Sequence, residues 1–293
     1  MQAPVGVAPE ALLQRSLVSG RVHSAYLLSG PGDAPRQAAR SFVRGLVCRG
    51  PAPGPCEDCD ACRRSRERET LPLDGTGRKG PLLRHVGDHA DLVWVERGAD
   101  DTRVRIGQIR ALQGALRLRS AEGGRRGAVV ADAEWLNVEA QNALLRILEE
   151  PPPETTLVLV ASSPSGLLAT LRSRCQRLAF RPPETDPDED PEWAERLSRI
   201  QDASVPEILD WAEGYRGARA PAAAGVAELL ERGFAWLRRR IAARVREAGA
   251  GVRRELDAGH VLSACRRDLA QRNANPQMVA ERALLALREA ATP

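Results

Sequence analysis

The sequence predicts an α/β domain built on a mostly parallel sheet, followed by a region that is helical only. Strand-like and helix-like patterns alternate up to about residue 180, an acidic Pro-rich stretch then breaks the composition, and the apolar patterns beyond it have the helical period. The 293 residues, 43% of them hydrophobic, suffice for two or three small cores.

Residues 8–20 place Ala11, Leu12, Leu17 and Val18 at helical spacing, and residues 25–28 read as a short strand entering the turn Gly30-Pro31-Gly32. Pro35 suits the first turn of a helix reaching residue 46, whose apolar stripe is Ala38, Ala39, Phe42, Val43 and Leu46. A cysteine-rich segment interrupts at 48–62, and a polar, glycine-rich, flexible stretch runs on to about residue 87. Residues 91–95 form the next strand and residues 104–118 an amphipathic helix carrying Ile106, Ile109, Leu112 and Leu116. A buried-type strand follows at 126–132. Asn137 can cap a helix through residue 148, which Pro151-Pro152-Pro153 stops. The β-branched run 155–161 is a fourth strand, and the sheet ends near Phe180.

Residues 182–191 form an acidic, Pro-rich linker, and the domain boundary is placed there. Helices follow at 193–200 and 205–212, then a glycine-punctuated turn at 214–217 and longer amphipathic segments at 226–246, 252–271 and 276–291. The resulting plan has three parts: an α/β domain over 1–181, a linker with a small helical domain over 182–223, and a larger all-α domain over 224–293.

Of the 43 basic residues, 42 are arginine and only Lys79 is lysine, so Schiff-base, catalytic-lysine and ordinary phosphate-loop chemistries must find their amine there or nowhere. Net charge is +4, yet residues 182–213 carry eleven acids against two arginines, so that stretch is −9 and the remainder +13. No apolar run approaches the roughly 20 residues of a membrane span, and the first residues lack a signal-peptide pattern. A cytoplasmic protein without membrane contact is expected.

Cys48, Cys56, Cys59 and Cys62 fall within 15 residues, punctuated by Gly50, Pro51, Pro53, Gly54 and Pro55. Four reduced thiols so spaced fit a structural Zn2+ site with no open coordination position; a redox or surface cysteine cluster is the alternative. Cys175 and Cys265 read as buried thiols, and His85 and His89, with Gly87 between them, read as loop residues rather than a second metal site.

The turn after the first strand can be set against the phosphate-loop pattern G-x-x-x-x-G-K-[ST]. It keeps Gly30 and Gly32 but has Pro35 for the second required glycine, Arg36 for lysine and Gln37 for the hydroxyl residue. Pro35 removes a backbone N–H from the phosphate cradle, Arg36 replaces a compact ammonium with a planar fork, and Gln37 lacks a hydroxyl for Mg2+. The strand at 126–132 ends in Asp132-Ala133-Glu134, with alanine where a hydrolytic site wants an acid directly after the aspartate. ATP hydrolysis is not expected.

Taken in order with the four cysteines, His89-Ala-Asp-Leu-Val-Trp94, Ile106-Gly-Gln-Ile-Arg110, Asp132-Ala-Glu-Trp-Leu136, Gln141 to Pro151 and Leu171-Arg-Ser-Arg-Cys175, these motifs resemble the delta-prime subunits of the bacterial DNA polymerase III clamp loader. The likeness spans about residues 8–181. It implies an AAA+ subunit: a phosphate-loop-type sheet domain with an inserted zinc knuckle, a helical lid and a C-terminal collar. It further implies gamma/tau and delta subunits as partners, action on the sliding clamp and primed DNA through the complex, and a stator role without hydrolysis. Within Ser173-Arg174-Cys175, Arg174 would be an arginine finger offered in trans to a neighbour's ATP. The sequence departs from the family in its charge- and glycine-rich 63–88 loop and in His89-Ala90-Asp91. Two other readings stay open, a gamma/tau-like ATPase with a divergent phosphate loop and a zinc-dependent DNA-binding protein; Arg216 and Arg219 are equal candidates for a sensor-type arginine.

Overall fold

The computed structural model describes residues 8–51, 54–68, 72–98, 101–181, 191–246, 251–271 and 274–292. The chain divides into two compact units, Met1–Arg181 and Pro182–Pro293. Most of the acidic linker expected at 182–191 lies outside the described residues.

The first unit is a six-stranded sheet in the order β2-β3-β4-β5-β1-β6. Its strands are β1 (Ala25–Ser29), β2 (Arg84–Val86), β3 (His89–Val95), β4 (Arg126–Val130), β5 (Thr155–Ala161) and β6 (Gln176–Ala179). All pairings are parallel except β2 with β3. β1, β4 and β5 are buried throughout, as strands covered on both faces must be.

Side-chain alternation sends Leu27, Val93, Val95, Val130, Leu157 and Leu159 to one face. There they meet Ile109 and Leu112 of α4 (Ile106–Arg117), Leu144 and Ile147 of α5 (Val138–Glu149), and Leu171 of α6 (Ala169–Arg174). Tyr26, Leu28, Leu92, Trp94, Val129 and Val158 face the other way, onto Leu13 of α1 (Pro9–Ser19) and Phe42, Val43 and Leu46 of α2 (Ala34–Val47). The pleat thus sorts one strand set into two cores.

Arg126 explains why α4 ends where it does. Almost fully buried, it donates to the carbonyls of Ala115, Leu116 and Leu118, satisfying the otherwise orphaned end of that helix. Asn137 caps α5 by accepting from Ala140 N–H at 2.9 Å.

Two expectations are corrected. His85 and His89 are not in a loop: they sit on the antiparallel strands β2 and β3, because the edge of β3 pairs with residues 84–86. The glycine-rich stretch around Lys79 is a pinned turn. The Asp74 carboxylate accepts from the N–H groups of Thr76, Arg78 and Lys79 and from the Thr76 hydroxyl, and Gly75 N–H donates to Asp101 at 2.7 Å. These donors hold the Asp74 carboxyl well below the usual carboxylate range.

The second unit contains α7 (Pro191–Arg199), α8 (Val205–Glu213), α9 (Arg219–Arg246), α10 (Arg253–Gln271) and α11 (Pro276–Ala291). α9, α10 and α11 close around Gly233, where an added Cβ would lie 2.9 Å from Leu262 and 3.2 Å from Leu287. Glycine lets these helices approach. Arg288 of α11 donates to the Ala203 carbonyl just before α8. Among the described residues, no helix is long and apolar enough to cross a membrane.

Candidate functional site

Three sites lie in the first unit: the cysteine knuckle, the cleft beyond β1, and the short helix α6. The ligand atoms of Cys48, Cys56, Cys59 and Cys62 all lie within 4.8 Å of one another. Backbone N–H groups of Gly50, Cys59 and Cys62 point at the sulfurs of Cys48, Cys56 and Cys59 at 3.3, 3.4 and 3.5 Å. Donors so placed favour thiolates. Backbone donation from Cys59 and Asp58 lowers the Cys56 thiol. Burial would raise Cys59, but donation from the Arg49 and Cys62 N–H groups outweighs it and leaves the thiol at about 6. Burial pushes Cys62 up to about 12. A cation is the natural balance for thiolates gathered this closely.

The turn has no room for a side chain at residue 50: an added Cβ would stand 2.7 Å from Cys56 Cβ and 2.8 Å from its sulfur. This close approach, together with an all-sulfur donor set, makes the four cysteines a site that could hold a metal ion.

The knuckle is bolted to the sheet domain. Arg44 of α2 donates to Glu57, Ser65 and the Cys62 carbonyl. Gly87, in the β2–β3 turn, presses against the segment after Cys62 so closely that an added Cβ would be 2.2 Å from the Arg64 carbonyl oxygen. Glu122 receives Arg64 at 2.5 Å and Arg49 at 3.5 Å, and faces buried His89 at 3.4 Å. His89, Asp91 and Glu122 offer ligand atoms within 4.8 Å of one another. However, Asp91 already accepts from Ser120, Ala121 and Glu122, and two guanidinium groups hold Glu122. The carboxylates of this group thus already have partners within a charge network.

The cleft beyond β1 is about 260 Å³ and is lined by Gly30, Gly32, Arg36, Asp132, Glu134 and Ser162 among others. Gly30 is required by close approach: a Cβ there would lie 2.6 Å from the Phe180 carbonyl oxygen. Gly32 supplies a left-handed turn at φ 73°. Arg36 lies across the cleft, 3.1 Å from Asp132 and 3.4 Å from Glu96. Gln37 turns back to Asp33 at 2.9 Å, and Arg97 takes the other oxygen of Asp132.

Glu134 is buried at the cleft wall, where one oxygen accepts from Ser162 N–H and Oγ at 3.0 and 2.7 Å. Its other oxygen has no hydrogen-bond partner among the described residues. Burial, with the nearby charge of Asp132, raises its carboxyl. In the sequence Glu134 stands one place beyond the acid that a hydrolytic site wants, and its burial and its bonds to Ser162 appear only in the fold.

In α6, Leu171 and Cys175 are buried and Ser173 and Arg174 exposed. Burial pushes the Cys175 thiol up to about 12, leaving it an inert anchor. Leu171 and Cys175 grip the core four residues apart, so Arg174 projects outward. Its guanidinium donates to the Thr170 carbonyl at 3.1 Å and to Glu149 at 2.8 Å. Buried Gln141 of α5 sets the start of α6: it donates to the Leu136 and Gly166 carbonyls and accepts from Leu168 N–H at 2.7 Å.

The family model described as "DNA polymerase III, delta subunit" matches residues 8–184, which include all three sites. The chain belongs to this DNA polymerase III subunit family. DNA polymerase III subunit delta' of Pseudomonas aeruginosa is 33% identical over 236 residues, covering 75% of this chain and 66% of that protein. Its Bacillus subtilis namesake is 31% identical over 172 residues, 58% of this chain and 46% of the relative. DNA polymerase III subunit gamma/tau of Mycobacterium tuberculosis (strain ATCC 25618 / H37Rv) is 32% identical over 179 residues, 60% of this chain and 28% of the relative. The chain therefore spans about half to two thirds of the length of the delta' relatives it matches. The motif resemblance to delta-prime clamp-loader subunits agrees with this membership.

Proposed function

We propose that this chain is the non-hydrolysing delta-prime stator of a DNA polymerase III clamp loader. It would bind gamma/tau and delta subunits in the cytoplasm and help load the sliding clamp onto primed DNA, holding zinc in its knuckle and using residues 182–223 as lid and 224–293 as collar. The observation that carries this reading is the Arg36–Asp132 ion pair across a cleft that has neither the phosphate-loop lysine nor an acid directly after Asp132. Arg174, meanwhile, is held outward on an anchored helix. A guanidinium brought to a neighbour's γ-phosphate neutralises the charge that develops as the phosphoryl group leaves, an effect worth about 10³–10⁵ in rate where fingers have been measured.

The test is reconstitution with gamma/tau, delta, clamp and primed DNA. Arg174→Ala is expected to assemble normally and to lower DNA-stimulated ATPase at least about threefold, since only the interface served by this chain loses its finger. Unchanged ATPase would overturn the finger role. The isolated chain should give no ATP turnover above a protein-free blank; turnover would favour the gamma/tau-like reading.

A further inference from the structure

We infer that Glu149 is the positioning residue for Arg174. This rests on the finger reading and goes beyond it by asking what aims the guanidinium before a neighbour's phosphate arrives. An arginine side chain carries much rotamer entropy, which must be given up whenever it is fixed in one direction. Here that freedom is removed in advance from two sides. Nη1 donates to the Thr170 carbonyl one turn back, and Nη2 donates to the Glu149 carboxylate.

These contacts use two of the five N–H donors of the fork and leave three for a ligand. The side chain is still 38% exposed, so an approaching anion can reach it. Glu149 also keeps the charge of the fork locally balanced until a stronger anion, a triphosphate, is presented.

The placement is not a chance surface pair, because the first turn of α5 fixes where α6 begins. Gln141, in the first turn of α5, fixes Leu168 N–H at the start of α6, and Glu149, the last residue of α5, meets Arg174, the last residue of α6. Glu149 stands eight positions after Gln141, a little over two turns of helix, and the buried residues Leu144, Ile147 and Leu148 hold that span against the core. The carboxylate is therefore presented by a rigid element at a set distance from the helix that carries the finger.

The test uses the reconstituted complex with primed DNA and compares wild type, Glu149→Ala, Glu149→Gln, Arg174→Ala and the double alanine variant. Both side chains are exposed, so neither truncation opens a hole in the core, and thermal melting of the chain should be unchanged. Glu149→Ala is expected to lower kcat two- to fivefold, about 0.4–1 kcal/mol, with KM for ATP unchanged. Glu149→Gln, which retains an acceptor, should keep at least half of wild-type kcat. In the Arg174→Ala background, removing Glu149 should have no further effect.

A drop for Arg174→Ala with Glu149→Ala at wild-type rate would overturn the positioning role and leave the finger intact. If Arg174→Ala itself has no effect, the finger reading falls and takes this inference with it. A Glu149→Ala effect that persists in the Arg174→Ala background, or that appears in KM alone, would also overturn the inference.

Discussion

The cysteine knuckle and the β1 cleft are both ligand-shaped parts of one domain, yet they are built in opposite ways. The knuckle presents four sulfurs, three of them with N–H donors aimed at them, and a glycine where any side chain would collide. Its all-sulfur donor set could hold a metal ion. The cleft keeps the glycine turn and Asp132, but its cation is internal: Arg36 spans to Asp132 and Glu96. Donors gathered without a counter-charge gain from binding a cation, whereas carboxylates that already face a guanidinium gain less.

The largest expected effect breaks the knuckle side of this contrast. Stripping metal with a chelator, or substituting Cys62→Ser, should lower stability by more than about 3 kcal/mol in urea unfolding. Elemental analysis should find close to one zinc per chain before treatment and none after. A chain that loses its zinc without a change in midpoint would mean the packing of Arg44, Gly87 and Glu122 suffices alone.

Breaking the cleft side should cost less. Arg36→Ala takes one cation from Asp132 and Glu96, which keep Arg97 and Arg84, and because the arginine is about one-third exposed the loss should be only about 1 kcal/mol at neutral pH. Arg36→Lys should recover part of it, since an ammonium can answer the charge but not span both acids. An unchanged urea midpoint in Arg36→Ala would show that the ion pair does not hold the cleft.

Glu134 provides a smaller effect of opposite sign. Its carboxyl is raised in the folded state, so between the unfolded value near 4.5 and the raised value the native chain binds more protons than the unfolded one. Its contribution to stability is therefore present below pH 4.5 and is lost as pH rises through the folded pKa. Glu134→Gln mimics the protonated form and keeps an oxygen for Ser162. It should stabilise the chain by up to about 1 kcal/mol at pH 7–8 and leave it unchanged below pH 4.5. Equal midpoints at both pH values would remove Glu134 from the cleft's energetics.

The same contrast governs what the sequence made legible. Local patterns were readable: the cysteine spacing, the glycine turn, the proline stop after α5 and the alternation of the buried strands. What escaped was contact through space. β2 is three residues of mixed polarity that become a strand only because β3 offers an edge. Gln141 looked like one polar residue on a helix, and its three backbone contacts exist only after α6 is in place. Glu149 is one of two adjacent acids at the end of α5, and its pairing with Arg174 crosses 25 residues of chain. Glu122 carried no motif, although it receives arginines from either side of the knuckle.

The smallest effect concerns the lone lysine. If the cleft has exchanged lysine for arginine, then Lys79 has no phosphate to meet, and the structure keeps it exposed on the Asp74 turn. What that turn uses of residue 79 is its backbone N–H, which donates to Asp74 at 2.7 Å and survives replacement of the side chain. Lys79→Ala should therefore shift the melting temperature by less than about 2 °C, the scale of an ordinary surface substitution. It should also leave the ATPase of the reconstituted complex at wild-type level. Lys79→Pro removes the N–H and should destabilise the turn, separating backbone from side chain. Loss of ATPase in Lys79→Ala with assembly intact would return lysine chemistry to the molecule and undo the assignment of its cationic role to Arg36 and Arg174.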